Sequence, residues 1–384
     1  MSTRGVVATS LAATLVLAGA AAAQASVSTN PVSCVQPDGR VSAVAISGGT
    51  AYLGGSFTHV KDKGGATVVR NRLAAVDTAS CALLPWAPSA DSNVLALAVQ
   101  GSTVWAGGDF THIGTTARNH LAAIATGSGA LTSFNPNVSN SVRALAVSGS
   151  TLYAGGTFTS VGGTSRGKLA AFSTSDGSLT SWKPKASGAV NALAASADGS
   201  DVYVGGTFTA ISGTGSAAYL AAVKASGTGA LDLSFDPAPT FPILALAADQ
   251  RGVYAGAGGS GGHFVIWNLD GSLQRPVYQT DGGVQGVAVD GDSVYAGGHF
   301  TNYCVGNTGS GSPFLCSTNL PRRKMFEVSL SSGSLTGWNP ALNSAHGAFA
   351  VVLDPATHRL WVGGDFTTVN GSAVAHLAVF APTP

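Results

Sequence analysis

The stretch "LYAGGTFTSVGG", Leu152–Gly163, returns almost intact as "VYVGGTFTAISG", Val202–Gly213. Its kernel is a pair of β-forming residues, a small residue, then Gly-Gly-x-Phe-Thr. The kernel's glycine pairs are Gly54-Gly55, Gly107-Gly108, Gly155-Gly156, Gly205-Gly206, Gly297-Gly298 and Gly363-Gly364. A degenerate copy, "VYAGAGG", covers Val253–Gly259 and brings the tally to seven units. The kernel recurs about every 50 residues, the mark of a solenoid, a propeller or an array.

The third unit shows the parts of each repeat. "VRALAVSG" alternates and ends in a tight turn, and "TLYAGGTFT" follows. The Gly-rich loop "SVGGTSRG" leads to "KLAAFS", and the turn "TSDGS" leads to "LTSWKPK". A period of two with Gly, Asp and Ser at the turns means strands and hairpins. Four antiparallel strands in about 50 residues make one propeller blade. The expected fold is therefore all-β, a seven-bladed β-propeller with four antiparallel strands per blade.

The Gly pair is expected where neighbouring blades approach closely, since Gly within a strand marks close backbone contact. The kernel aromatics Phe57, Phe110, Phe158, Phe208, Phe300 and Phe366 are read as core. So are Trp86, Phe134, Trp182, Phe235 and Trp338, each on an outer strand shortly before a Pro. The seventh unit stops after its third strand, "HLAVFAPTP". The segment "VSTNPVSCVQPDG" before Val41 is free to complete that last blade, which removes an exposed sheet edge.

The chain opens as an export signal: Arg4, an apolar run over Val6–Ala23, and the A-x-A pattern Ala23-Gln24-Ala25. Cleavage is expected after Ala25, giving residues 1–25 as signal peptide and 26–384 as one propeller domain, secreted or held at the cell surface. Four cysteines in an exported chain read as two disulfides. Cys304 with Cys316 flanks one loop, which leaves Cys34 with Cys81 to staple the closure.

The repeats resemble the delta-60 type repeats of bacterial exported β-propellers. "YLGGSFT", "WAGGDFT", "YAGGTFT", "YVGGTFT" and "WVGGDFT" carry the resemblance, with Arg-x-x-Leu-Ala-Ala at Arg70, Arg118 and Arg166 and "GALDLSFDP" at Gly229–Pro237. It spans nearly all of residues 26–384 and implies an architecture, with no general biochemical activity attached. Kelch repeats also carry a double Gly and a later Trp, but the 27 residues from Gly155 to Trp182 are longer than that pattern.

Charged residues are only 10% of the 384 and net to +1, which argues against a nucleic-acid binder. There is no H-E-x-x-H, Walker A or EF-hand loop. With Glu327 as the one glutamate, a two-carboxylate glycosidase is disfavoured. No cofactor or metal is expected, and whether any reaction is catalysed stays open; a carbohydrate-active propeller enzyme and a passive envelope module are the rival readings. The variable kernel position reads Ser56, Asp109, Thr157, Thr207, His299 and Asp365, a polar ring in which His299 and Asp365 fall in adjacent units. His59, His112 and His120 lie in similar loops, and the repeated arginines are expected to bind loop carbonyls or a nearby Asp.

The clearest site clue is broken symmetry. The fifth unit lacks Phe-Thr and its long loop, running through "GGSGGHFVIW", whereas the sixth carries a long loop over Thr301–Arg323. A low wall beside a high one makes a groove, and function on rigid scaffolds concentrates in loops. Candidate ligand-binding residues are His263, His299, Asn302, Tyr303, Asn307, Phe314, Arg322 and Arg323. The partner expected is an extracellular protein or glycan bound by a monomer, with no nucleic acid and no membrane insertion after cleavage.

Overall fold

The computed structural model describes residues 26–213, 217–307 and 316–383, with the side chains of 306, 307, 316 and 317 outside that description. It is all-β; among the described residues there is no helix, and none long and apolar enough to cross a membrane. Seven units repeat one antiparallel order of first, second and third strand. The third unit is typical: Val142–Ser148 pairs with Thr151–Gly156, which pairs with Leu169–Ser173. In the fifth unit the same three strands, Ile243–Asp249, Gly252–Ala257 and Gly262–Trp267, open a six-stranded sheet.

The outer piece is shorter than a full strand except in the fifth unit, where Tyr278–Thr280 pairs with Gly262–Trp267. Leu83, Leu131, Leu179, Leu231, Leu273 and Leu335 each make one bridge to a third strand. Beyond the bridge comes a Pro, preceded by the aromatic in all of these units but the fifth, where Gln274-Arg275-Pro276 follows, and Pro removes a donor that a longer ladder would need. In the seventh unit the bridging residue comes from the other end of the chain: Val32 pairs with Val379, and Val27 with Pro382. The Trp86 and Trp182 indoles donate to Ala125 O and Lys224 O of the following unit, and the Trp338 indole donates to Ser28 O at 3.1 Å. The leading segment thus takes the place of a following unit's chain. Cys34 and Cys81 form a disulfide with Cα atoms 4.9 Å apart, tying that segment to the first unit. Cys304 is buried, but its expected bond to Cys316 rests on a side chain outside the described residues.

Packing explains the kernel. All six kernel Phe side chains have no exposed surface. The two glycines meet different neighbours. A Cβ on Gly107 would lie 2.6 Å from Val142 Cγ1 of the next unit, whereas one on Gly108 would lie 2.1 Å from the Asn93 carbonyl oxygen of its own unit. The same contact crosses the chain ends, because a Cβ on Gly363 would lie 2.6 Å from Val41 Cγ1 of the first unit. First strands also lie side by side from unit to unit, and the seventh lies beside the first.

After each kernel the chain returns through a residue held at positive φ. Arg72, His120, Lys168, Tyr219, Lys324 and His376 have φ between 62° and 75°. Each donates its N–H to the kernel Phe carbonyl and accepts from the second kernel Gly. Those two bonds fix a conformation that costs a non-Gly residue of order 1 kcal/mol.

Candidate functional site

The hairpin loops share one face with the mouth of a central cavity. In all seven units the first strand skips one residue in its pairing, a β-bulge at Ser42, Leu95, Arg143, Asn191, Leu244, Gln285 or Phe349. Bulges re-aim a side chain, and all seven of these residues line the cavity, whose volume is about 360 Å³. Arg40 stacks over the Phe349 ring at 4.8 Å and donates to Ser42 Oγ at 3.1 Å. Arg143 donates to Asn191 Oδ1 at 3.3 Å, and Gln285 Oε1 is buried without a partner. A period-two reading hides this ring, because the extra residue shifts phase and its side chain varies in type.

The groove expected between the fifth and sixth units is contiguous with that mouth. The fifth unit joins its second and third strands through residues 258–261 alone. Leu244 lies beside Gly258 and Gly283, and Gly282 and Gly283 lie beside the His299 ring, so the floor is built from glycine backbone. His263 stacks on Phe241 with centroids 4.2 Å apart and planes 5° from parallel. Burial pushes its pKa down, partly offset by the Gly258 backbone, and Nδ1 lacks a well-formed hydrogen bond. His299 is exposed, yet partial burial, the Lys324 cation and His346 also push its pKa down, against a weaker pull from Asp281.

The sixth unit's hairpin, Asn302–Asn307 with Cys316–Pro321, joins the fifth unit's sheet through Tyr278–Thr280, with Thr280 opposite Tyr303. The high wall and the low unit are therefore one continuous sheet. Tyr303 is half-buried against Phe326, with ring centroids 6.2 Å apart. Arg323 is exposed. The side chain of Asn307 and the whole of Phe314 lie outside the described residues.

Other candidates are committed to the scaffold. Asn302 Nδ2 donates to Asp281 Oδ2 at 2.9 Å. The Arg322 guanidinium donates to the carbonyls of Pro321 and Thr336, as Arg70 does to Val69 and Leu84, Arg118 to Ala117 and Thr132, and Arg166 to Ser165 and Thr180. In the polar ring, Asp365 accepts from His346 at 2.7 Å rather than facing His299, and Asp109 accepts from Ser141 at 2.6 Å. Among the described residues, no three His, Cys, Asp or Glu side chains gather as a metal site.

A larger cavity of about 1010 Å³ lies beside Ser26–Thr29 and Thr383, where the chain ends meet. It belongs to the closure seam. Glu327, 1% exposed, sits there and accepts from the hydroxyls of Ser26, Ser293 and Thr336.

No family model and no curated protein matches the chain in sequence. In structure it is similar to the WD40 β-propeller domain of Doa1, with a TM-score of 0.61 and 10% identity over 91% of this chain and 96% of that one. It is also similar to the computationally designed Ika8 protein, with a TM-score of 0.51 and 16% identity over 90% and 98%. The fold is that of a β-propeller. Identities this low speak to fold alone.

Proposed function

We propose that the chain is an exported seven-bladed β-propeller of the delta-60 repeat type that binds a protein or glycan outside the cell. In this reading each blade has four strands, the leading segment supplies the last one, and residues 26–384 form a single domain. The seam disulfide suits an oxidising compartment, and the A-x-A pattern supplies the export route. Intact mass of the protein recovered from the medium tests that route; a chain beginning anywhere but Ser26 refutes cleavage after Ala25.

The observation that carries the binding reading is the broken repetition. Six units spend their hairpins on the same local bonds. The fifth has none, leaving the half-buried Phe241–His263 stack and a glycine-lined floor beside the enlarged hairpin of the sixth. Imidazoles whose pKa is pushed down, beside an aromatic ring, suit a polar, weakly charged surface such as a glycan or an extended peptide.

The experiment is a titration against arrayed glycans and cell-wall fractions from the producing culture. Saturable binding is expected, reduced at least tenfold when residues 303–320 are replaced by a two-residue turn or when His299 is changed to Ala. Binding unaffected by both changes rejects the groove, and no saturable binding rejects the role.

A further inference from the structure

The central mouth adds something the groove does not explain. The cavity wall carries Arg40 and Arg143 and no carboxylate. Among the described residues neither guanidinium has an acidic partner within ion-pair distance. Each makes one side-chain hydrogen bond, Arg40 to Ser42 and Arg143 to Asn191, out of five N–H donors. Asn191 and Gln285 add polar atoms at the same level, and Gln285 Oε1 is unpartnered.

Leu95, Leu244 and Phe349 share this level, and below it the wall is apolar. One turn of the pleat deeper the positions are Leu97, Leu145, Leu193 and Leu246, with Val287, Val351 and Val44 closing the circle. The result is an apolar throat under a cationic collar, in a volume of about 360 Å³. That falls within the range of sites that enclose a small molecule. A chain with so few charges that places two arginines on one low-dielectric opening focuses positive potential there.

We infer that the mouth binds a small carboxylate with a linear apolar tail, the carboxylate at the Arg40–Arg143 collar and the tail in the leucine-lined throat. The charge signs exclude a cationic head. The leucines exclude a ligand that is polar throughout, since its groups would go unpaired on burial. This rests on the binding reading above but on different residues, so the two can fail separately.

The probe is decanoate, followed by calorimetry on the full mature chain, with decanol and decyltrimethylammonium as controls. Decanoate is expected to bind with a stoichiometry of one and more tightly than either control. The double variant Arg40→Gln/Arg143→Gln should weaken decanoate at least tenfold and leave decanol unchanged. Ser42→Asp removes no packing and puts a carboxylate beside Arg40; it should do the same, so a misfolded double variant cannot decide the matter. Failure of decanoate to bind, equal binding of the cationic control, or decanoate affinity unchanged in both variants overturns the inference. None of those results bears on glycan retention by the 303–320 hairpin.

Discussion

Two adjacent glycines with the same residue type answer to different constraints. A methyl on Gly107 meets a valine side chain across a unit boundary; a methyl on Gly108 meets a backbone carbonyl inside its own unit. A side chain can be trimmed and a carbonyl cannot. Overpacking costs about 1–3 kcal/mol, and Gly108→Ala is expected at the top of that range, about 3 kcal/mol. Gly107→Ala is expected to cost less and to couple to its neighbour: the double variant Gly107→Ala/Val142→Ala should be more stable than the sum of its singles implies. Val142→Ala should bring no such relief to Gly108→Ala. Urea unfolding of the parent and the five variants measures this, and equal coupling at both glycines contradicts the assignment.

The hairpins are held by a latch that crosses between elements. Asp91 accepts from the backbone N–H of Thr111 at 2.8 Å and from the Thr111 hydroxyl at 2.8 Å, and its other contacts reach His112. Asp38, Ser139, Ser187, Asp281 and Asn343 do the same for their own hairpins. Burial alone would raise the Asp91 pKa, but the hydroxyl, two backbone amides and imidazole outweigh it and hold it at about 2, against 3.8 for the free group. The folded value lies below the unfolded one, so the ionised latch contributes fully above pH 4 and loses its contribution as pH falls toward 2. With the Asp91 side chain 40% exposed, solvent screening keeps this below about 1 kcal/mol. Asp91→Ala should therefore lower the melting temperature at pH 7 and converge on the parent near pH 2. Asp91→Asn, copying Asn343, should stay near the parent and flatten the profile. Parallel profiles for all three would remove the carboxylate from the account. The latch also shows where sequence reading ends. The kernel was legible because Gly, Gly and Phe recur at fixed spacing for one steric reason. The acceptor sits 20 residues upstream of Thr111 but 24 upstream of Thr367, and three residue types serve equally well. The bulge ring was hidden likewise, since any side chain can be turned into a channel. The groove was visible in the sequence as a missing hairpin beside a long one, and Arg322 follows the repeated arginines expected on loop carbonyls; the spent side chain of Asn302 was not visible, because its carboxylate partner Asp281 lies 21 residues upstream.

At the scale of the whole molecule the seam decides how stability is shared. Residues at opposite ends meet in the Val32–Val379 bridge, the Trp338–Ser28 bond and the Gly363–Val41 contact. The Cys34–Cys81 disulfide anchors the leading segment to the first unit across a separation of 47 residues. On loop entropy such a link contributes about 4 kcal/mol, but its position matters more than that figure. Between other neighbouring units the covalent chain runs from one to the next; between the seventh and the first no peptide link runs, and the leading segment's bridges, the Gly363–Val41 contact and the Arg359 bonds to the Thr78 and Ala79 carbonyls hold them. Removing the bond should loosen the seam first and leave units on the far side of the ring protected. In Cys34→Ser/Cys81→Ser, amide exchange is expected to rise most in Leu377–Phe380 and Val41–Ser47, with Val142–Ser148 and Val190–Ala195 near parental values. Mutating the Ser28 contact by Trp338→Phe should reproduce the pattern more weakly. Uniform acceleration across all first strands would mean that the units share stability evenly and that the seam is no weaker than any other boundary.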